Sequence, residues 1–295
     1  MKYRSLGKTN LSVSVIGIGT WQFGGEWGVD FTQKEVDDIL REAEMQGINL
    51  IDTAECYGDH LSEKFIGNYL SGNDRDKWII ATKFGHHFHD FLNRTDVFEP
   101  KKVVVQLEDS LKALQIDTID LYQFHSGSDE SFHNDELWTM LDKQKSAGKI
   151  RHLGCSLNKT TQIQAEEAAQ YGIEVIQVMY NRLERTAEER HLPAAVKDTL
   201  GVLARVPLAS GLLSGKYNKD TVFDQNDVRS RQGKETLLKQ LKEVEIIKNE
   251  EVPEGVNMSQ WAMAWCLQRP EITAVIPGCK NPAQVRSNAE AADLL

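Results

Sequence analysis

The sequence is poor in cysteine, and its four (Cys56, Cys155, Cys266 and Cys279) show neither a CxxC spacing nor a disulfide framework. Reduced thiols in a cytoplasmic protein are what this usage supports. No stretch is apolar for long enough to span a bilayer, and Met1-Lys-Tyr-Arg-Ser-Leu-Gly-Lys8 lacks the apolar core of a signal peptide. Positive charge is scarce: 34 Lys and Arg stand against 44 Asp and Glu, a formal net charge of −10. Neither nucleic acid nor an anionic membrane is therefore an expected partner, and any polyanionic ligand would need a local basic patch. No G-x-G-x-x-G joins a strand to a helix, since Gly17-Ile-Gly19-Thr-Trp21 is too short for it. A Rossmann reading loses its main support. Linkers and low-complexity tracts are missing too, so residues 1–295 read as one domain.

What is present is alternation. Residues 2–16 hold two short strand-like pieces around Gly7-Lys8-Thr9-Asn10, a predicted β-hairpin. Eight apolar runs follow: Val15–Ile18, Ile48–Ile51, Trp78–Thr82, Ile119–Phe124, Ile150–Cys155, Ile173–Met179, Gly201–Val206 and Ile272–Ile276. Between them lie helical periods, such as Val36, Ile39, Leu40 and Ala43, or Val103, Leu107, Leu111 and Leu114. Thr32 and Pro100 are start signals, and Gly47 and Gly148 are stop signals. Strands that alternate with helices pair in parallel, because a crossover needs a dozen or more residues. Eight units predict an α/β protein, a closed (β/α)8 TIM barrel capped by the N-terminal hairpin. From Ala209 to about Lys234 runs a Gly-, Ser-, Asp- and Asn-rich loop, with Met258–Gln268 read as an additional helix, so strands 7 and 8 are separated by an insertion.

In such a barrel the active site lies at the C-terminal ends of the strands. Strand 2 ends at Asp52 with Tyr57 just beyond, strand 3 at Lys83 and strand 4 at His125. Alone, each has a duller reading: a helix cap, a solvated lysine, a satisfied polar residue. Together they make a proton-transfer set. A tyrosine is a poor acid at neutral pH, a lysine cation beside it lowers its pKa, and an aspartate keeps the lysine charged. A histidine can hold a carbonyl by a hydrogen bond. His86-His87-Phe88-His89-Asp90 matches no metal-ligand spacing, so no metal is expected, and this loop reads as pocket wall. Trp21, Trp27, Phe84 and Phe124 are candidates for an apolar substrate wall, with ordinary core or rim packing an equal reading for Phe124, and Cys56 reads as packing.

Asp52, Tyr57, Lys83 and His125 match in type, order and spacing the catalytic tetrad of the aldo-keto reductases, which this sequence resembles. The resemblance runs from Gly17-Ile-Gly-Thr-Trp21 through Ile-Asp-Thr-Ala-Glu-Cys-Tyr (51–57), Ala-Thr-Lys (81–83) and Ala-Gly-Lys-Ile-Arg (147–151). It continues through Pro-Leu-Ala-Ser-Gly-Leu-Leu-Ser-Gly-Lys-Tyr (207–217) and Ile-Pro-Gly (276–278) to Asn288. It implies a reductase of aldehyde or ketone carbonyls, with Tyr57 as general acid, Lys83 and Asp52 tuning it and His125 orienting substrate. It also implies a nicotinamide dinucleotide: NADP(H) in preference to NAD(H).

By the same resemblance Thr20, Trp21 and Asp52 line the nicotinamide ribose, and Ser156 and Gln177 reach the carboxamide. Pro207, Leu208, Ser210 and Leu212 begin a loop that closes over the pyrophosphate, to which Lys216 and Arg229 bring charge. Gly278, Lys280, Gln284 and Asn288 form the adenosine end, with Lys280 on a ribose 2′-phosphate. Two residues depart from the family's pattern. Leu157 stands where Asn is usual, and Arg205 where an aromatic residue often stacks on the nicotinamide, implying a preference for the neutral reduced ring over the cationic oxidised one. The potassium-channel β subunits share these segments, so a cofactor-binding regulator is the alternative to an enzyme. The sequence names no substrate and no oligomeric state.

Overall fold

A computed structural model describes residues 1–295. Eight strands form one parallel sheet in chain order: β1 (Ile18–Gly19), β2 (Leu50–Asp52), β3 (Ile79–Phe84), β4 (Ile119–His125), β5 (Ile150–Ser156), β6 (Ile173–Met179), β7 (Gly201–Arg205) and β8 (Ala274–Ile276). The edges meet through backbone bonds from Gly17 N to the Val275 carbonyl (2.8 Å) and from Gly19 N to that of Pro277 (3.0 Å). A Cβ on Gly19 would come within 2.7 Å of the Ile276 carbonyl oxygen, so closure at this seam requires glycine. The sheet is the expected TIM barrel.

Helices cover its outside as the signals direct. Thr32 caps the helix Gln33–Met45 through a capping box with Glu35, and Pro100 opens Pro100–Leu114. A continuous core of 55 buried residues fills the space between strands and helices. Inside the barrel a separate layer packs Leu50, Ala81, Leu121, Val175, Leu203 and Ala274 over Leu6 and Val13. Those last two come from the N-terminal hairpin (Tyr3–Ser5 with Ser12–Ser14), which plugs the bottom. Burying Leu6 fully there stabilises the plug by about 2 kcal/mol.

The period of two along each strand then decides what sits one step above that apolar layer. It is Asp52 above Leu50, Lys83 above Ala81, Gln123 and then His125 above Leu121, Gln177 above Val175 and Arg205 above Leu203. The polar layer at the barrel mouth is thus the inward face of the same strands that build the core.

Two connections rise above the mouth. After β3 comes a hairpin, His86–Asp90 with Asn93–Asp96, in the loop read as pocket wall. After β7, residues 209–233 carry two 3-10 turns, Ala209–Ser214 and Val228–Arg231, and lead into two helices. Met258–Leu267 packs against β8, and so occupies the ordinary barrel position. The inserted helix is therefore the earlier one, Lys234–Glu250, held by a satellite cluster that includes Leu212, Leu213, Leu241 and Val244. No helix is long and apolar enough to cross a membrane.

Candidate active site

Lys83 is fully buried on β3, yet it is not left uncompensated. Its ammonium donates to Asp52 Oδ2 at 2.7 Å, to the Thr53 carbonyl at 2.7 Å and to the Tyr57 hydroxyl at 3.3 Å. Burial opposes its charge, but Asp52 and Tyr57 outweigh burial and its pKa is raised. Asp52 is itself held by Gln177 Nε2 (2.7 Å) and Gln123 Nε2 (3.2 Å) on Oδ1. Lysine, carboxylate and two amides fix one another across four strands.

Tyr57 sits on the turn after β2, its ring open to the cavity and its hydroxyl against the Lys83 nitrogen. Loss of water raises its pKa and Lys83 pulls it only part of the way back, leaving it raised to about 12. The sequence expectation of a net lowering is corrected: the buried surroundings outweigh the lysine cation. The phenol is therefore protonated throughout the neutral range. His125 lies with its ring 6.3 Å from that of Tyr57. Burial first, then the charges of His86, Lys83, Arg205 and Arg94, push its pKa well below that of an ordinary histidine, so it is a neutral imidazole.

These residues open on one cavity of about 480 Å³. Of the residues expected at the site, Tyr57, His125, Asp52, Thr20, Trp21, Gln177, Arg205, Pro207, Leu208 and Ser210 line it. Toward its far end so do Lys216, Arg229, Gly278, Lys280, Gln284 and Asn288. Lys83 stands behind Asp52 and Tyr57. Leu212 turns away into the satellite cluster, because it must cover the inserted helix. Ser156 lies beside the cavity with a buried hydroxyl that has no partner, and Asn288 Nδ2 is likewise unpartnered. Gln177 lines the cavity while bound to Asp52, so its amide serves the carboxylate in this structure. Asn158, one position after Leu157, donates to the Ser126 carbonyl and faces a different, small polar cavity.

The apolar wall needs correcting. Trp21 and Trp27 line the cavity, edge to face at 5.3 Å, but Phe84 and Phe124 do not. With Lys83 and His125 pointing inward, their chain neighbours Phe84 and Phe124 must point out among the helices, where both are fully buried. The period of two that points Lys83 and His125 inward points Phe84 and Phe124 away from the pocket.

Sequence reading missed three contributors. Glu26, buried in the loop after β1, accepts from Trp21 Nε1 (2.6 Å), from the Leu92 N–H (2.8 Å) and from Arg94. It ties the first loop to the hairpin after β3. Gly24 packs where a Cβ would meet the Tyr57 backbone at 2.6 Å, so only glycine lets the two loops close. Glu55 accepts the His86 N–H at 2.9 Å, and burial raises its carboxyl to about 7. Nothing in the local pattern marks Glu26 or Gly24. Glu55 stood inside the run Ile51–Tyr57 and carried the signal of a second acid next to Asp52.

The loop after β7 closes the roof. Val228 N donates to the Glu26 carbonyl (2.9 Å), Gly28 N to that of Asn226 (3.2 Å), and Lys280 Nζ to that of Trp27 (2.9 Å). Arg229 is clamped by Asp227 and bonds the Tyr217 hydroxyl at 2.6 Å. Arg94, Arg205, Lys216, Arg229 and Lys280 thus line a cavity whose only lining carboxylate is Asp52. In a chain of net charge −10, that is the local basic patch an anionic ligand requires.

The model of the aldo/keto reductase family matches residues 15–295. An uncharacterized oxidoreductase of Bacillus subtilis, YrpG, is 35% identical, the match covering 100% of this chain and 92% of the relative. The NADH-specific methylglyoxal reductase of Escherichia coli is 30% identical, over 100% of this chain and 94% of that protein. Among solved structures, a Bacillus halodurans aldo-keto reductase in its holo form superposes with a TM-score of 0.83 at 28% identity, covering 99% of this chain and 91% of that one. A barrel with this mouth, and a family match over all of the chain but the N-terminal plug, lead to one statement: the chain belongs to the aldo/keto reductase family.

Proposed function

We propose that this oxidoreductase reduces aldehyde or ketone carbonyls with NADPH, and that Tyr57 supplies the proton. The observation that carries the reading is the Tyr57 hydroxyl held 3.3 Å from a buried, Asp52-paired Lys83 at the mouth of a single cavity that ends in a cationic rim. The nicotinamide cofactor, when bound, supplies the hydride. The rest belongs to this chain. Neutral His125 donates to the carbonyl oxygen and orients it. Tyr57 releases its proton to that oxygen, and Lys83 stabilises the phenolate left behind. Asp52, with Gln123 and Gln177, keeps Lys83 charged and in place.

The residues fit a dinucleotide. Ser156 Oγ and Asn288 Nδ2 are buried donors awaiting acceptors. Lys216, Arg229 and Lys280 suit phosphates. Lys280 bonds only a neutral carbonyl, so its charge is free for a 2′-phosphate, which favours NADPH. The E. coli relative is named as NADH-specific, so both cofactors belong in the test. Following nicotinamide absorbance with NADPH and NADH against a panel of reactive aldehydes should show turnover, faster and at lower cofactor concentration with NADPH. Tight NADPH binding with no turnover of any carbonyl would instead mark a regulator of the potassium-channel β-subunit kind.

Arg205 sharpens the cofactor side. It pairs with no carboxylate; one of its terminal nitrogens donates to the Leu157 carbonyl at 3.3 Å and its Nε has no partner. Beside this cation an oxidised nicotinamide is repelled and a reduced one is not. Two unit charges about 4 Å apart interact by roughly 4 kcal/mol at an effective dielectric of 20. A quarter of that is about fivefold in affinity. Arg205→Tyr should therefore narrow the preference for NADPH over NADP+ by about fivefold or more. Calorimetric dissociation constants for both forms measure it, and an unchanged ratio removes the role.

A further inference from the structure

Beside Tyr57 three side chains of different chemistry converge that the proposed reaction does not use as a set. Glu55, Cys56 and His125 each offer one ligand atom, and the three atoms lie within 4.8 Å of one another. The Cys56 sulfur is 3.8 Å from His125 Nδ1. A zinc ion bound at about 2.3 Å to sulfur and about 2.0 Å to imidazole nitrogen, at an angle between tetrahedral and trigonal, sets those two atoms roughly 3.5–3.7 Å apart. The pair is within about 0.1 Å of the spacing a shared metal needs. Glu55 is 3% exposed, its Oε1 takes the His86 N–H, and its buried Oε2 has no partner. That orphaned oxygen is a group the folded protein leaves unsatisfied and a cation would satisfy.

We propose that Glu55, Cys56 and His125 form a site for a zinc-class divalent cation, and that its occupation shuts the carbonyl pocket. Sulfur, nitrogen and carboxylate oxygen together select zinc or cobalt over magnesium or calcium, which take oxygen donors alone. Binding displaces the Cys56 thiol proton to solvent, and the thiolate with the Glu55 carboxylate then neutralises the ion in a pocket otherwise bordered by Lys83, Arg94 and Arg205. The cavity, which Cys56 and His125 both line, leaves the fourth position open to water. The ion sits next to Tyr57 in the cavity that the carbonyl must enter, so inhibition competes with the carbonyl substrate. The inhibitory half rests on the reductase reading; the binding half does not.

The test uses the full chain freed of metal. Titration with Co2+ should give one equivalent with visible ligand-field bands and a near-ultraviolet sulfur-to-cobalt charge-transfer band, lost on adding Zn2+. Cys56→Ala should remove the charge-transfer band and weaken binding at least tenfold. Glu55→Gln should keep the band with weaker binding. His87 and His89, edge to face with ring centres 4.9 Å apart on the outer hairpin, are a rival cobalt site, and His87→Gln should leave the sulfur band unchanged. Absence of that band in the wild type, or its survival in Cys56→Ala, overturns the site. In the turnover assay, Zn2+ should raise KM for the aldehyde, reversibly with EDTA. Zinc bound at this site with aldehyde reduction undiminished overturns the inhibitory half. A sulfur band in a protein that reduces no carbonyl leaves the site standing and removes the reductase reading.

Discussion

Tyr57→Phe should lower kcat for aldehyde reduction by about a thousandfold, the middle of the range for a positioned general acid, and leave NADPH affinity nearly intact. The change removes one hydroxyl. The ring stays, with its stacking on Trp21 at 6.0 Å and its place beside His125. Lys83 loses its 3.3 Å partner but keeps Asp52 and the Thr53 carbonyl, so the pocket floor does not collapse. The pH profile supplies an independent sign. With its pKa raised to about 12, the phenol holds its proton at every neutral pH, and reduction needs no deprotonated form. The reverse reaction needs the phenolate. Its fraction rises about tenfold per pH unit below the pKa, so oxidation of the product alcohol should climb steadily with pH while reduction does not. Residual reduction within about tenfold of wild type would mean that another group supplies the proton.

Why this set could be read without a structure, and why its surroundings could not, follows from the range of the forces involved. Asp52, Lys83 and His125 end apolar runs, and a period of two puts each on the inward face once the barrel is granted. Tyr57 came with them because it follows Asp52 on the same turn. The cationic rim was legible only through resemblance, since Lys216, Arg229 and Lys280 carry no periodic signal. It is the fold that bends them around one cavity. Glu26 is the contrary case. A polar residue in an aperiodic loop looks solvated, yet Arg94, Leu92 and Trp21, between five and 68 residues away, converge on its carboxylate. Leu212 failed for a related reason. Ser210, Gly211 and Ser214 around it line the cavity, but the inserted helix needs an apolar partner, and burial decides where the leucine points. The same competition explains Tyr57: the lysine was visible in the sequence, the water lost on burial was not.

Lys83→Met should be the most disruptive substitution at the site for stability as well as rate. Removing one member of a buried ion pair costs about 3–5 kcal/mol, because the remaining charge is stranded. Here the low end applies, since Gln177 and Gln123 still donate to Asp52 and Arg205 remains a nearby cation. The Thr53 carbonyl also loses its 2.7 Å donor, which offsets part of that relief. A loss of about 3 kcal/mol in denaturant unfolding is therefore expected. Reduction should fall at least as far as in Tyr57→Phe, because the phenolate formed on proton transfer then has no cation against it. Adding Asp52→Asn separates the two effects. The double variant has no stranded carboxylate and should recover most of the stability, since a buried pair replaced by neutral groups is often no less stable. It should recover none of the rate. Stability in Lys83→Met equal to wild type would show that Lys83 and Asp52 are not ionised as a pair when folded. Rate recovery in the double variant would show that Lys83 serves only to neutralise Asp52, and that proton transfer from Tyr57 does not depend on it.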